Sequence, residues 1–385
     1  MEPRPEPHRR AAYGVLRHGD VSGRGRTAPA SMEVMQMGAS LKDVAAMAGV
    51  SVKTVSNVVT GSTYVSPPTR EKVERALSAL DYRPNLSARN LRKGRTGVIA
   101  LALPELDAPY FAELTRFVID AAAKHGWTVL IEQTDGDPAR ERDVLDGVRE
   151  QRIDGLIFSP IAVGPEELAA RTDTTALVLL GERVLDGPTH HVAIDNQRAA
   201  RELTEHLLSL GHTRIAAIGR QDNPSANTAH LRLAGYRQAL EAAGLSYDET
   251  LAPLTRAYHR ADGAQLMQYL LDLPEPPQAV FCCNDLLALG ALRTALSSGL
   301  RVPQDIAIGG WDDIEDGRYS TPTLTTVSPD KEQIAHVAVD MLEAQINGTR
   351  PTRRGAEVSE VTAGSRLVIR ESTDPVGTGT AHRSV

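Results

Sequence analysis

The chain has 385 residues, 41% of them apolar and 24% charged, with a net charge of −7. That is globular rather than disordered composition, and the length suits two or three domains. No run approaches the roughly 18 apolar residues of a membrane span and no signal-peptide apolar core opens the chain, so membrane and secreted classes are excluded and a cytoplasmic protein is expected.

Charge is unevenly spread. Residues 1–39 carry net +2, and residues 40–97 hold ten bases against four acids, net +6, which leaves −15 for the remainder. A small basic module on a large acidic body points to a polyanionic partner at one end only. Cys282 and Cys283 are adjacent inside an apolar run, where strand neighbours point to opposite faces, so no disulfide between them is expected.

Residues 1–38 are rich in Pro, Arg, Gly and Ser without apolar periodicity and read as a disordered extension, with Met32, Met35 and Met37 as alternative start codons to Met1. Order begins at Ser40, whose spacing to Asp43 fits a capping box. Leu41, Val44, Ala45 and Ala48 then mark one buried helix face, and Gly49 can stop the helix with a positive φ. Ser51 can cap a second helix with Val55, Val58 and Val59 inward, ending at Gly61. A third follows Ser66, with Pro67 in its first turn and Val73, Ala76, Leu77 and Leu80 on one face. Three short helices over 39–83, the first two joined by a tight turn, make an all-α helix-turn-helix unit.

Residues 84–96 are a basic linker; from Arg83 to Arg95 there are four arginines and a lysine besides no acid at all, counting Arg83, Arg89, Arg92, Lys93 and Arg95. From Gly97 the pattern alternates β and α. Val98–Leu103, Thr128–Ile131, Leu156–Phe158 and Ala176–Leu180 are apolar runs of the kind a parallel sheet buries on both faces. The series restarts after Ile194 with Ile215–Ile218, Ala279–Cys282 and Ile306–Ile308. Two doubly wound parallel sheets in sequence imply a bilobed α/β body over 97–373 with a cleft between its lobes. The first lobe is expected at about 97–194 plus 328–350, including a helix over Lys331–Ile346. The second is expected at about 195–327 plus 355–373, closed by Leu367–Ile369, with residues 374–385 as a loose tail.

On the second helix, Lys53, Asn57 and Thr60 form a polar stripe pointing away from the valine core. Lysine can donate to guanine O6 and N7, asparagine can pair with adenine, and Thr54 and Ser56 suit phosphate oxygens. A plain amphipathic helix with a polar outer face presents the same pattern. The runs LKDVAAMAGVSVKTVSNVVTG and VSPPTREKVERALSALDYRPNLSARNLRKGRTGVIA, however, closely resemble the LacI/GalR family of bacterial transcriptional regulators. The resemblance continues in LTEHLLSLGHTRIAAIG, LRLAGYRQAL, FCCNDLLALGAL, VPQDIAIGGWDD, LTTVSPD and RLVIREST, covering about residues 40–372. It implies a body of the periplasmic-binding-protein type.

The resemblance further implies that the helix starting near Ser51 enters the major groove, with Val52, Lys53 and Asn57 choosing the sequence. Ser40, Leu41, Ser51, Thr54, Ser56, Tyr64, Ser66, Thr69, Tyr82 and Asn85 match positions that contact backbone or flanking bases. Val52 and Asn57 stand where relatives often carry larger or charged side chains, so operator preference is expected to differ. The linker matches the family's hinge helix, which folds only on the operator. Ala88, Arg89 and Leu91 would contact DNA there, two copies of Leu91 in a dimer wedging a central base step open, with the surrounding arginines neutralising phosphates.

Ligands of open α/β sheets sit beyond the carboxyl ends of the strands. Those ends offer Asp107, Tyr110, Phe111, Glu182 and Arg183 in the first lobe, and Asn284, Asp285, Trp311 and Asp312 in the second. Arg232 joins them by match to the family's effector contacts. An arginine fork opposite Asp312 and Asn284 would grip vicinal hydroxyls, and Trp311 or Phe111 could stack on a sugar face. A sugar is the expected effector class, with a nucleobase or other small polar metabolite, acting as co-repressor, as the alternative. Bland readings stay open: Asn284 as a helix cap, Asp285 in that helix's first turn, Trp311 as lobe packing, Arg232 in a surface ion pair.

An enzyme would need a reactive constellation, and the chain has no G-x-S-x-G elbow, no phosphate-cradling G-x-x-x-x-G-K-[ST] and no H-E-x-x-H helix. His190, His191, His206 and His212 lack ligand spacing and are expected at the surface or in supporting roles, so neither a metal nor a cofactor is expected. A transporter's solute-binding protein could share the body but would lack the helix-turn-helix module. The expectation is therefore a homodimeric regulator, a repressor of a pseudo-palindromic double-stranded operator, controlled by a small molecule between its lobes. No long C-terminal heptad run follows the body, which favours dimers.

Overall fold

The computed structural model describes residues 39–59, 64–82, 95–147, 153–181, 189–223, 227–348 and 359–374. The expected N-terminal extension, the end of the second helix at Gly61, most of the linker and residues 375–385 lie outside these. The chain divides into two compact units, residues up to Pro84 and residues from Asn85 on.

In the first unit, α1 (Leu41–Ala48), α2 (Val52–Val59) and α3 (Pro67–Ala79) enclose a small core of Val44, Ala45, Val55, Val58, Val73 and Ala76. Local chemistry sets the helix ends. The Ser40 backbone and hydroxyl both donate to the Asp43 carboxylate, at 2.8 and 2.7 Å, while Asp43 N donates back to Ser40 Oγ. These bonds hold the Asp43 carboxyl below its usual range. Gly49 takes φ 65°, a left-handed conformation that ends α1 at little cost for glycine. Ser51 Oγ accepts from Thr54 N at 3.1 Å at the start of α2.

The second unit contains two sheets. The first is built from β1 (Val98–Leu103), β2 (Thr128–Gln133), β3 (Gly155–Phe158), β4 (Ala176–Leu180), β5 (His190–Ile194) and β10 (Glu360–Ala363), in the order β10-β5-β4-β3-β1-β2, all parallel. The second has the order β11-β9-β8-β7-β6, from β6 (Ile215–Ile218), β7 (Ala279–Cys282), β8 (Ala307–Trp311), β9 (Thr325–Pro329) and β11 (Ser365–Val368). Here β11 runs antiparallel to β9, so the second sheet is not wholly parallel as expected. Helices α4 (Pro109–Lys124), α5 (Pro138–Gly147) and α6 (Pro165–Ala170) belong to the first lobe. The second lobe holds α7 (Asn196–Ser209), α8 (Asn227–Ala242), α9 (Arg260–Leu271), α10 (Asp285–Ser297) and α11 (Glu315–Arg318).

The chain passes between lobes after β5, after β9 and between β10 and β11. The second passage delivers α12 (Lys331–Ile346) to β3, β4 and β5 of the first sheet, beside α4. Residues 360–363 join the first sheet rather than the second lobe expected for 355–373, because β10 pairs with β5 before the chain returns. Asp374, expected in the loose tail, still donates its backbone N–H to Arg370 O at 3.0 Å. His190 and His191, expected at the surface or in supporting roles, lie buried in β5: His190 Nδ1 accepts from Ser359 N at 3.1 Å, and the His191 ring bonds Gly181 O. Among the described residues no helix is long and apolar enough to cross a membrane.

Candidate functional site

On the first unit, α2 presents Val52, 41% exposed, and exposed Lys53 beside half-buried Thr54, Ser56 and Asn57. Tyr64 is 96% exposed. Ser40, Ser51 and Ser66 precede the three helices; the first two use their hydroxyls to accept from Asp43 N and Thr54 N, and the third is followed by Pro67 and Pro68. The Ser66 and Thr69 hydroxyls bond each other at 2.9 Å. Leu41 and Tyr82 instead lean on the three-helix core. Asn85, Ala88, Arg89 and Leu91 lie outside the described residues. Arg95, counted with the phosphate-neutralising arginines, donates to Asn347 Oδ1 at 2.7 Å and to Ile346 O at 2.6 Å, within the second unit.

A cavity of about 410 Å³ opens between the two sheets of the body. Its walls are the carboxyl ends of the parallel strands, as that topology dictates. Lobe one supplies Tyr110 and Phe111 from the first turn of α4, with Ile161, Leu180, Ile194 and the polar Glu105, Asp135 and Ser159; lobe two supplies Gln221, Asn223, Asn227, Thr228, Arg232, Arg256, Asn284 and Asp312, with Leu286 and Ile314. The Tyr110 and Phe111 rings meet edge to face, with centroids 5.2 Å apart.

Arg232 is only 8% exposed and firmly held. Its Nε donates to Asn196 Oδ1 at 2.7 Å, Nη1 donates to Cys283 O, and the guanidinium lies 4.0 Å over the Trp311 ring. Asn196 in turn donates to Ile194 O at 3.2 Å, so the arginine is positioned through the first crossing between lobes. Gly235, one turn along α8, permits this: an added Cβ would collide with Gln197 O on α7. Asn284 caps α10 through Leu287 N at 2.9 Å, donates to Tyr258 O at 3.0 Å, and still lines the cavity.

Three expected contacts stand elsewhere. Asp107 is exposed and outside the lining. Trp311 has no exposed surface and supports Arg232 from behind rather than stacking on a ligand. Asp285 is wholly buried, accepting from Ile314 N at 3.0 Å and from the Thr326 hydroxyl at 2.7 Å. Burial, helped by the Asp312 charge, pushes its carboxyl well above the usual range. Arg183 and Glu182 lie outside the described residues. Asp312 does line the cavity, at φ 111°, an uncommon conformation for a residue with a Cβ.

Sequence reasoning missed Asn196, Gln221, Asn223, Asn227, Thr228 and Tyr258. Gln221 and Asn223 follow the carboxyl end of β6, so the strand-end rule would have found them. Asn196 was hidden because β5 opens on two histidines and does not look like a strand.

An exposed polar recognition helix on one unit and a ligand-sized cleft in the other define a DNA-binding protein with a small-molecule receptor body. Residues 40–85 match the bacterial regulatory proteins of the lacI family, and residues 204–373 match the periplasmic binding protein-like domain. The ribose operon repressor of Escherichia coli (strain K12) is 36% identical over 318 residues, covering 82% of this chain and 94% of that protein. The structure of the lac repressor dimer bound to operator and the anti-inducer ONPF is 30% identical with a TM-score of 0.72, and a transcriptional regulator CelR–cellobiose complex is 32% identical with a TM-score of 0.64. Each of these covers 87% of this chain and 99% of its own. The chain belongs to the LacI family of bacterial transcriptional regulators, with that family's helix-turn-helix unit and α/β receptor body.

Proposed function

We propose that this protein is a cytoplasmic, homodimeric repressor of a pseudo-palindromic operator, and that a sugar held between the lobes sets its operator affinity. The supporting observation is the mixed lining of the cavity: amides, a hydroxyl, Asp312 and the anchored Arg232 come from lobe two, while lobe one brings Tyr110, Phe111 and aliphatic side chains together with Glu105, Asp135 and Ser159. A sugar ring has both faces, hydroxyls at its rim that donate and accept, and C–H groups across its plane. Cellobiose in the related CelR complex is consistent with this reading. On the DNA side, Val52, Lys53 and Asn57 are the proposed base-reading residues, with Ala88, Arg89 and Leu91 acting from the linker.

A nucleobase is the second reading, favoured by the Tyr110–Phe111 pair, which could flank a flat ring. A melting-temperature screen with D-ribose, cellobiose, adenine and hypoxanthine separates the two, since a ligand of the native state raises the midpoint. Gel shifts on the upstream region of the protein's own gene, with and without each hit, then test control. A sugar that shifts melting and changes operator affinity is the expected result. A response to bases alone would replace the sugar reading, and failure to bind any duplex at low salt would overturn the repressor reading.

A further inference from the structure

We propose that α12 is a rigid rod linking the cleft to the segment that joins the two units, with Lys331 and Arg95 as the positioning residues at its ends. The proposal rests on the effector-controlled reading above and adds the route of control. A 16-residue helix spans about 24 Å, enough to connect the two places.

At the cleft end, Lys331 is buried and its ammonium meets three acceptors. Glu113 Oε2 of α4 lies at 2.7 Å, Asp312 O at 2.6 Å and Asp313 O at 3.3 Å. One side chain thus ties the cavity-lining turn of lobe two to the helix of lobe one that carries Tyr110 and Phe111. Asp312 sits at φ 111°, and such a conformation persists only where surrounding bonds hold it. Lys331 is one of the groups holding it, so a ligand that reshapes the Asp312 turn must also move or release Lys331.

The rod cannot slide on its own sheet. An added Cβ at Gly155 of β3 would lie 2.9 Å from Leu342 Cδ1, so the leucine nests in a space only glycine leaves. Gln345 accepts from Leu177 N at 3.1 Å and donates to Leu177 O at 3.0 Å, pairing with β4 as a neighbouring strand would. Displacement at Lys331 therefore moves α12 and the first sheet as one body, and with them the helix end that holds Arg95.

At that far end the Arg95 fork takes Ile346 O at 2.6 Å and Asn347 Oδ1 at 2.7 Å, placing a cation on the negative pole of the helix. Arg95 follows residues 83–94, within which one unit gives way to the other, and is separated from β1 by Thr96 and Gly97. The attachment point of the linker is thus oriented by the last turn of a helix whose first turn reads the cleft. A two-ended element that both sites bias is the physical requirement for coupling.

The test uses the full chain, a fluorescent duplex selected from a random library by the wild type, and D-ribose as probe, with cellobiose and hypoxanthine as further probes. The coupling ratio is the operator Kd with saturating probe over that without, expected on the order of 5- to 150-fold in either direction for the wild type. Arg95→Gln should bring the ratio to within about twofold of unity while probe affinity by calorimetry stays within about threefold; Asn347→Ala, which leaves the bond to Ile346 O, should lose part of the ratio, and Arg95→Lys should keep part of it. Lys331→Met should also lose the ratio. If Arg95→Gln binds no operator, Lys331→Met decides, since it breaks the cleft end of the same helix and leaves Arg95 in place. A wild-type ratio in Lys331→Met, even with a lowered melting temperature, overturns the rod. If the wild type shows no ratio with any probe, the effector reading itself fails and the rod with it, a result distinct from loss in the variants alone.

Discussion

The two walls of the cleft come from the same architecture, a parallel sheet ending in loops, yet they differ in chemistry. Lobe one brings the aromatic and aliphatic Tyr110, Phe111, Ile161, Leu180 and Ile194 with fewer polar groups, Glu105, Asp135 and Ser159, whereas lobe two brings mainly Gln221, Asn223, Asn227, Thr228, Arg232, Arg256 and Asp312, with Leu286 and Ile314 among them. The polar wall is also the better braced. Arg232 is fixed by Asn196, Cys283 and Trp311, and the turn after β8 by Lys331 and buried Asp285. On this balance most of the directional bonds that choose the ligand come from lobe two, while lobe one covers it mainly with non-directional apolar contact.

Arg232→Ala should break the polar wall most severely. It removes a charge-assisted donor and leaves Asn196 Oδ1 and Cys283 O short of a partner. Each charged hydrogen bond is worth about 1.5–3 kcal/mol, so ligand affinity should fall roughly 100-fold by calorimetry while operator binding without ligand persists. Gly235→Ala should come next. The new methyl must push α8 off α7 and drag Arg232 from Asn196, at a cost of about 1–3 kcal/mol in stability, read by urea unfolding, with weakened ligand binding. Phe111→Ala tests the other wall. It should weaken the ligand by about tenfold through lost contact area, less than Arg232→Ala. The reverse order would mean that the apolar wall carries the affinity, and would favour a stacked base over a sugar.

Much of this arrangement was legible beforehand because two-face burial leaves continuous apolar runs. Val98–Leu103 and Ala176–Leu180 coincide with β1 and β4 to the residue. β10, reading Glu-Val-Thr-Ala at a sheet edge, and β5, opening on two histidines, carry no such run. Their absence from the pattern misplaced residues 360–363 and hid Asn196. The site was partly legible for a different reason. Strand ends point to the right loops, but cannot say which carboxylate of a loop turns inward. Asp285 and Asp312 both follow strands of lobe two. Only the positive φ at Asp312 and the bonds that Ile314 and Thr326 make to Asp285 separate the ligand-facing acid from the buried one.

That pair gives the smallest expected effect and the sharpest separation of facing from bracing groups. Burial holds the Asp285 carboxyl well above the usual range, so the folded chain keeps a proton that the unfolded chain releases above about pH 4. The unfolded state then binds fewer protons, so this group's contribution to stability declines as pH rises from there towards the raised folded value, and levels off beyond it. Asparagine mimics the protonated acid without titrating: its carbonyl accepts from Ile314 N, and its amide donates to Thr326 Oγ1 once that hydroxyl gives its own proton to Val327 O. Unfolding midpoints of wild type and Asp285→Asn, compared across pH 4.5 to 8, should therefore diverge in favour of the variant as pH rises, by at most about 1.4 kcal/mol per unit. Ligand affinity should change little, because Asp285 does not reach the cavity. Parallel pH profiles, or an affinity loss rivalling that of Arg232→Ala, would move Asp285 from the frame of the polar wall to its surface.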